Sequence, residues 1–155
     1  MCLSGLRLGW IVEPNERRRA RHLNARNHFS ICSGAISERL GTLALTHSDA
    51  IYSKARAASG RNLKALDAFF VGHRGALNWH RPRGGMTAYP WMSGVSDTRP
   101  FCEELLKRGV MIAPGDCFGA PEHFRLGFAA AGITQFSRAL ERFSEALRAA
   151  AVAAG

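Results

Sequence analysis

Ser4-Gly5-Leu6-Arg7-Leu8-Gly9-Trp10-Ile11-Val12 places a single cation inside an otherwise apolar run at the beginning of the sequence. Leu6, Leu8, Trp10 and Val12 alternate with Arg7, Gly9 and Ile11, a period that predicts a mostly buried strand rather than a helix. A guanidinium in such a strand needs an anion, because an unpaired buried charge costs several kcal/mol. Its planar fork suits a carboxylate or a phosphate held through two parallel hydrogen bonds. The anion is either one of the chain's own carboxylates or a ligand, and the stretch alone leaves both open.

Working outward, Pro14-Asn15 ends the strand. Asn15 can cap a helix from Glu16 to about Asn24, with Glu16 at the positive end of its dipole. The run Arg17-Arg18-Arg19-Ala20-Arg21-His22 sits on that helix. It reads as a solvated face, since no aromatic side chain is interleaved to stack on bases; nucleic-acid binding is the weaker alternative. Ile36, Leu40, Leu43 and Ala44 recur at helical spacing, and Ser48 can cap a longer helix carrying Ile51, Ala55, Ala58, Leu63, Leu66 and Phe70. At about 23 residues that helix would span about 35 Å, enough to bridge two lobes.

After Gly72 the pattern changes. Residues 76–81 and 86–92 are strand-like and flank the turn signal Pro82-Arg83-Gly84-Gly85. Asp97 or Thr98 caps a helix with Pro100 in its first turn, and Gly109 stops it. Val110-Met111-Ile112 predicts a short strand. His123-Phe124-Arg125-Leu126-Gly127-Phe128 predicts another, again with one cation among apolar neighbours. Ile133, Phe136, Leu140, Phe143 and Leu147 define one face of a final amphipathic helix, with fraying expected from Ala149 onward.

Composition narrows the class. With 46% apolar and 21% charged residues the chain is globular. Its formal charge of +9 comes from 18 Arg and 3 Lys against 12 acidic residues, which fits an anionic partner or an acidic portion outside this sequence. No run approaches the roughly 18 apolar residues of a membrane span, and residue 1 does not open a signal peptide. Cys2, Cys32, Cys102 and Cys117 are scattered, as in a reduced, cytoplasmic protein, and no His or Cys spacing suggests a metal.

Four stretches resemble the class I/II aminotransferases, the pyridoxal-phosphate enzymes of fold type I that include aspartate aminotransferase. They are Ser4 to Trp10, Pro82-Arg83-Gly84-Gly85-Met86, Leu105 to Val110 leading into Pro114-Gly115-Asp116-Cys117-Phe118-Gly119, and Phe124-Arg125-Leu126-Gly127-Phe128-Ala129. Their order is similar to the C-terminal third to two-fifths of such an enzyme. The resemblance implies an α/β to α+β fold. Residues 1–47 would be the end of the large cofactor-binding domain (one strand plus helices), 48–72 the interdomain helix, and 73–155 the small C-terminal α+β domain.

The resemblance further implies that Arg7 binds the cofactor phosphate and that Arg125 grips the substrate α-carboxylate. Pro114, Gly115, Phe118 and Gly119 match a loop near the substrate entrance, where shape rather than chemistry is expected. In the family a lysine about eight residues before the arginine matched by Arg7 carries pyridoxal phosphate as a Schiff base. Only six residues precede Arg7, none of them lysine, and Lys54, Lys64 and Lys107 match no catalytic position. The expectation is therefore an aminotransferase portion acting on an α-amino acid/α-keto acid pair, without a catalytic residue of its own, and a homodimer for the intact enzyme. A non-catalytic anion- or partner-binding module, and elimination or cyclisation on the same fold, stay open.

Overall fold

The computed structural model describes residues 3–129 and 132–153, with side chains through residue 150. Cys2 lies outside the described residues. The elements are α1 (Glu16–Phe29), α2 (Ala35–Thr46), α3 (Ser48–Gly72), β1 (Leu77–Asn78), β2 (Thr87–Ala88), β3 (Trp91–Met92), α4 (Arg99–Lys107), β4 (Ala113–Pro114), β5 (Phe124–Gly127) and α5 (Ile133–Ala153). This is a mixed helix-and-sheet architecture, as the sequence implied. The chain divides into two compact units, Met1–Ala55 and Arg56–Gly155, and the division falls within α3.

In the first unit the expected strand is absent. Ser4–Leu6 form a 3-10 turn instead, with Leu6 N–H donating to Leu3 O (3.0 Å) and Arg7 N–H to Ser4 O (3.2 Å). No other strand among the unit's described residues offers a ladder, and a strand without a neighbour cannot satisfy its backbone. Val12 is consequently 85% exposed, while the Leu8 side chain lies against Gly41 of α2. The Asn15 cap forms as expected, its side chain accepting from Arg18 N–H at 3.1 Å. Helix α1 then runs one turn beyond Asn24 to Phe29 and buries no residue along its length. Its basic run is solvated, with Arg18 bidentate to Glu13 (2.9 and 3.1 Å) and Arg19 3.7 Å from Glu16. Asn15 N–H and Arg18 together hold the Glu13 carboxyl below its ordinary pKa.

The core belongs to the second unit. Leu66 and Phe70 of α3, Leu105 of α4, Phe124 and Leu126 of β5, and Phe136, Phe143 and Leu147 of α5 are buried together. These are the positions that the helical and alternating patterns select. Phe143 stands at its centre, 5.2–5.6 Å from the rings of Phe69, Phe101 and Phe124. Burying a side chain of this kind contributes roughly 1.5–3 kcal/mol. Helix α5 stays regular through Ala153, past the point where fraying was expected.

The strands depart from expectation in two places. The run over 86–92 is shared between two sheets: β2 pairs with β5 (Ala88 opposite Leu126), whereas β3 pairs with β1 (Met92 opposite Leu77). Pro90 between them has no N–H to continue a ladder, so the chain changes partner there. The second departure is Val110-Met111-Ile112, which is not a strand; Val110 N–H returns to Leu105 O (3.1 Å) to close the end of α4. The strand begins three residues later, at Ala113, opposite Arg125. The result is a three-stranded antiparallel sheet in the order β2-β5-β4, with β5 central.

Candidate functional site

Arg125 sits on the central strand β5, where Phe124 and Leu126 point into the core and Arg125 and Gly127 point out. Alternation thus puts the cation on the solvent face, and Arg125 is exposed. Its guanidinium carbon lies 4.8 Å from the centre of the Phe118 ring. Among the described residues no carboxylate pairs with it.

The ring beneath Arg125 is itself held. Phe118 ends a 3-10 turn, Gly115–Phe118, that follows β4. Gly115 anchors the turn: a Cβ there would run into the backbone carbonyls of Ala120 and His123. Asp116 is clamped by Arg99, whose Nε and Nη2 reach one carboxylate oxygen at 2.9 and 2.6 Å. Tyr89 meets Phe118 edge-on at 6.0 Å, stacks on His123 at 4.7 Å, and donates its hydroxyl to Gly115 O at 3.4 Å. Partial burial, with the charge of Glu122 behind it, raises the Tyr89 pKa above the ordinary phenol value. Of the two candidate caps, Asp97 receives Arg99 N–H at 2.9 Å, while Thr98 donates from its hydroxyl toward Pro121 O (3.0 Å) and His123 O (2.5 Å), pinning the loop that leads into β5.

Arg7 lies in the first unit and is exposed, which corrects the expectation of a cation inside a mostly buried strand. Its backbone is left-handed (φ 51°, ψ 31°), the one such non-glycine among the described residues. That conformation costs roughly 1–2 kcal/mol for a residue with a Cβ. It ends the 3-10 turn and releases the chain toward α1. No described carboxylate is within ion-pair distance of it.

Lys54 and Lys64 are exposed on α3, and Lys107 on α4 faces Glu104 at 3.3 Å. A separate hollow of about 320 Å³ is lined by Asp67, Arg74, Trp79, Arg81 and Trp91 among others and contains neither Arg7 nor Arg125. Its Arg81 is already neutralised by a bidentate pair with Asp67 (2.7 and 3.0 Å).

Comparison with known proteins decides the family, since the model for "aminotransferase class I and II" matches residues 1–143. The chain belongs to the class I/II aminotransferases. It is 31% identical to capreomycidine synthase of Streptomyces vinaceus over 146 residues, 94% of this chain and 37% of that protein. The crystal structure of a pyridoxal-phosphate-dependent aminotransferase from Streptococcus suis superposes with a TM-score of 0.84 at 28% identity, covering 94% of this chain and 38% of that one. The pyridoxal-phosphate-dependent cyclase OrfR superposes at 0.81 with 32% identity, covering 94% and 40%. This aminotransferase chain therefore spans about two-fifths of the relatives it matches. Pyridoxal phosphate is the cofactor of the intact family.

Arg7 offers an exposed guanidinium with no carboxylate partner among the described residues. Several of the aminotransferase's structural contacts were not legible in the sequence. Asn62, which donates from Nδ2 to Phe128 O at 2.7 Å in the core, carries no pattern signal. Tyr89 and Phe118, with ring centres 6.0 Å apart, come from separate stretches that no sequence pattern pairs. The sole sequence hint was the Pro114 to Gly119 motif itself.

Proposed function

We propose that this chain is the C-terminal part of a pyridoxal-phosphate aminotransferase acting on an α-amino acid/α-keto acid pair, incomplete for catalysis as written. In this reading 1–47 end the large domain, α3 joins the domains, and 73–155 form the small domain. Arg7 would hold the cofactor phosphate and Arg125 the substrate carboxylate. The observation that carries the reading is Arg125: an exposed guanidinium fixed on a central strand, in contact with a ring, with no described carboxylate taking its donors. Charge-assisted, bidentate binding of a carboxylate is what such a group does best.

Pyridoxal phosphate, when bound, supplies the electron sink that lets bonds at the substrate α-carbon break. This chain's own residues would orient the two anionic ends. In this reading none of Lys54, Lys64 and Lys107 serves as the amine that moves a proton at the α-carbon, since none matches the family's catalytic position. Incubation with pyridoxal phosphate, borohydride reduction and peptide mapping test this. We expect Lys54, Lys64 and Lys107 to take up label weakly and alike; a one-to-one adduct on a single lysine overturns the incomplete reading.

A second reading is favoured by a specific observation. Two of the relatives above 30% identity are a capreomycidine synthase and a cyclase, so the intact protein's reaction would be a cyclisation of an amino acid. Arg125 serves both readings equally, because both substrates carry an α-carboxylate.

A further inference from the structure

A carboxylate partner would fix Arg125 but would also occupy its N–H donors. An aromatic ring fixes a guanidinium by contact with its cationic centre and takes no donor. Phe118 is placed for this, 4.8 Å from the guanidinium carbon, in a turn restrained independently of Arg125. The restraints are the Arg99–Asp116 pair, the closely packed Gly115, and the Tyr89 ring at 6.0 Å with its own stack on His123. Phe118 is also 48% exposed, although a large apolar side chain gains by burial, so its position is not explained by packing into the core.

We propose that Phe118 is a positioning residue for Arg125: its ring, braced by Tyr89, holds the guanidinium on the outer face of β5 while leaving every N–H donor free for an incoming carboxylate. This rests on the reading of Arg125 as the carboxylate anchor. A preorganised side chain loses less rotamer freedom on binding, and a long arginine otherwise loses much. Phe118 thus has an electrostatic task within a loop, Pro114 to Gly119, whose other residues supply shape.

The test uses the 155-residue chain labelled with 15N-arginine, observing the Arg125 Nε–Hε resonance, assigned by its loss in Arg125→Lys. In wild type we expect restricted motion and a ring-current shift, in contrast to the solvated Arg17. In Phe118→Leu both should relax to Arg17-like values, while Phe118→Tyr retains them. Pyruvate binding, titrated on the same resonance, should weaken about two- to fivefold in Phe118→Leu. Phe118→Met, which keeps the bulk without the ring, gives the same readout should Phe118→Leu lose its far-UV dichroism. An Arg125 as ordered in both ring-free variants as in wild type, with unchanged pyruvate affinity, overturns the proposal. If pyruvate moves no resonance of Arg125 even in wild type, the anchor reading fails instead, and the order of the side chain still reports on Phe118.

Discussion

Gly115→Ala separates the account of the site loop from a generic loop more sharply than any other single change. The added Cβ would meet the carbonyls of Ala120 and His123, which are backbone and cannot rotate away. Gly115 O also receives Ala120 N–H (3.1 Å) and the Tyr89 hydroxyl (3.4 Å). Relieving the collision by moving the turn weakens both. Overpacking of a rigid site costs about 1–3 kcal/mol, and a lost hydrogen bond about 1 kcal/mol, giving a total of about 2–4 kcal/mol. For a cooperative unit of this size that is a drop in Tm on the order of 10–25 °C. Gly127→Ala is the control, because nothing lies within 4 Å of its Cβ position. Calorimetry and urea unfolding followed by far-UV dichroism measure both. A Gly115→Ala protein within about 0.5 kcal/mol of wild type would refute the close packing that this account places under Phe118, since surface changes fall in that range.

Limited trypsinolysis should cut first among Arg17, Arg18, Arg19, Arg21 and Arg26, because α1 buries no residue, and should leave a resistant fragment from α3 onward that contains the core. At pH 8 a thiol reagent followed by mass mapping should label Cys32 and Cys117 quickly. Cys102 should stay unlabelled, since burial pushes its pKa to about 11. His73, whose Nε2 is 2.8 Å from the Ser144 hydroxyl, is held below its ordinary value of 6.5 by burial and by Arg148. Its neutral form is the folded one, so its stabilisation is complete above pH 6.5 and is lost as pH falls through the lowered folded pKa. Urea midpoints of wild type and His73→Gln at pH 7.5 and 5.0 check this: the wild type should lose more on acidification, and equal losses would contradict it.

Much of the second unit could be read from the chain because its elements bury one face each. The Phe136, Leu140, Phe143, Leu147 spacing and the Phe124, Leu126 alternation describe both the elements and the core. The first unit misled for the same physical reason. Leu6 to Val12 carries the pattern of a buried strand, but a strand is a property of a pair, and none of the unit's described residues supplies a partner. The motif arginines were identifiable as types in context, yet their exposure was not. A lone cation in an apolar run reads as buried until the alternation on β5 shows it facing out. The Tyr89–Phe118 contact was beyond reach, since it depends on β2 pairing with β5 and on the turn after β4, which no local pattern joins.

The central claim is that Arg125 is a carboxylate anchor, and one titration addresses it. A single charge-assisted contact of about 1.5–3 kcal/mol corresponds to a Kd on the order of 10–100 mM, within reach of chemical-shift mapping. With 15N-arginine-labelled protein at constant ionic strength, pyruvate should move the Arg125 Nε–Hε resonance saturably and ahead of Arg17 or Arg19, whereas neutral pyruvamide should leave it in place. Equal responses to pyruvate and pyruvamide, or a pyruvate response spread evenly over all the arginines, would contradict the account.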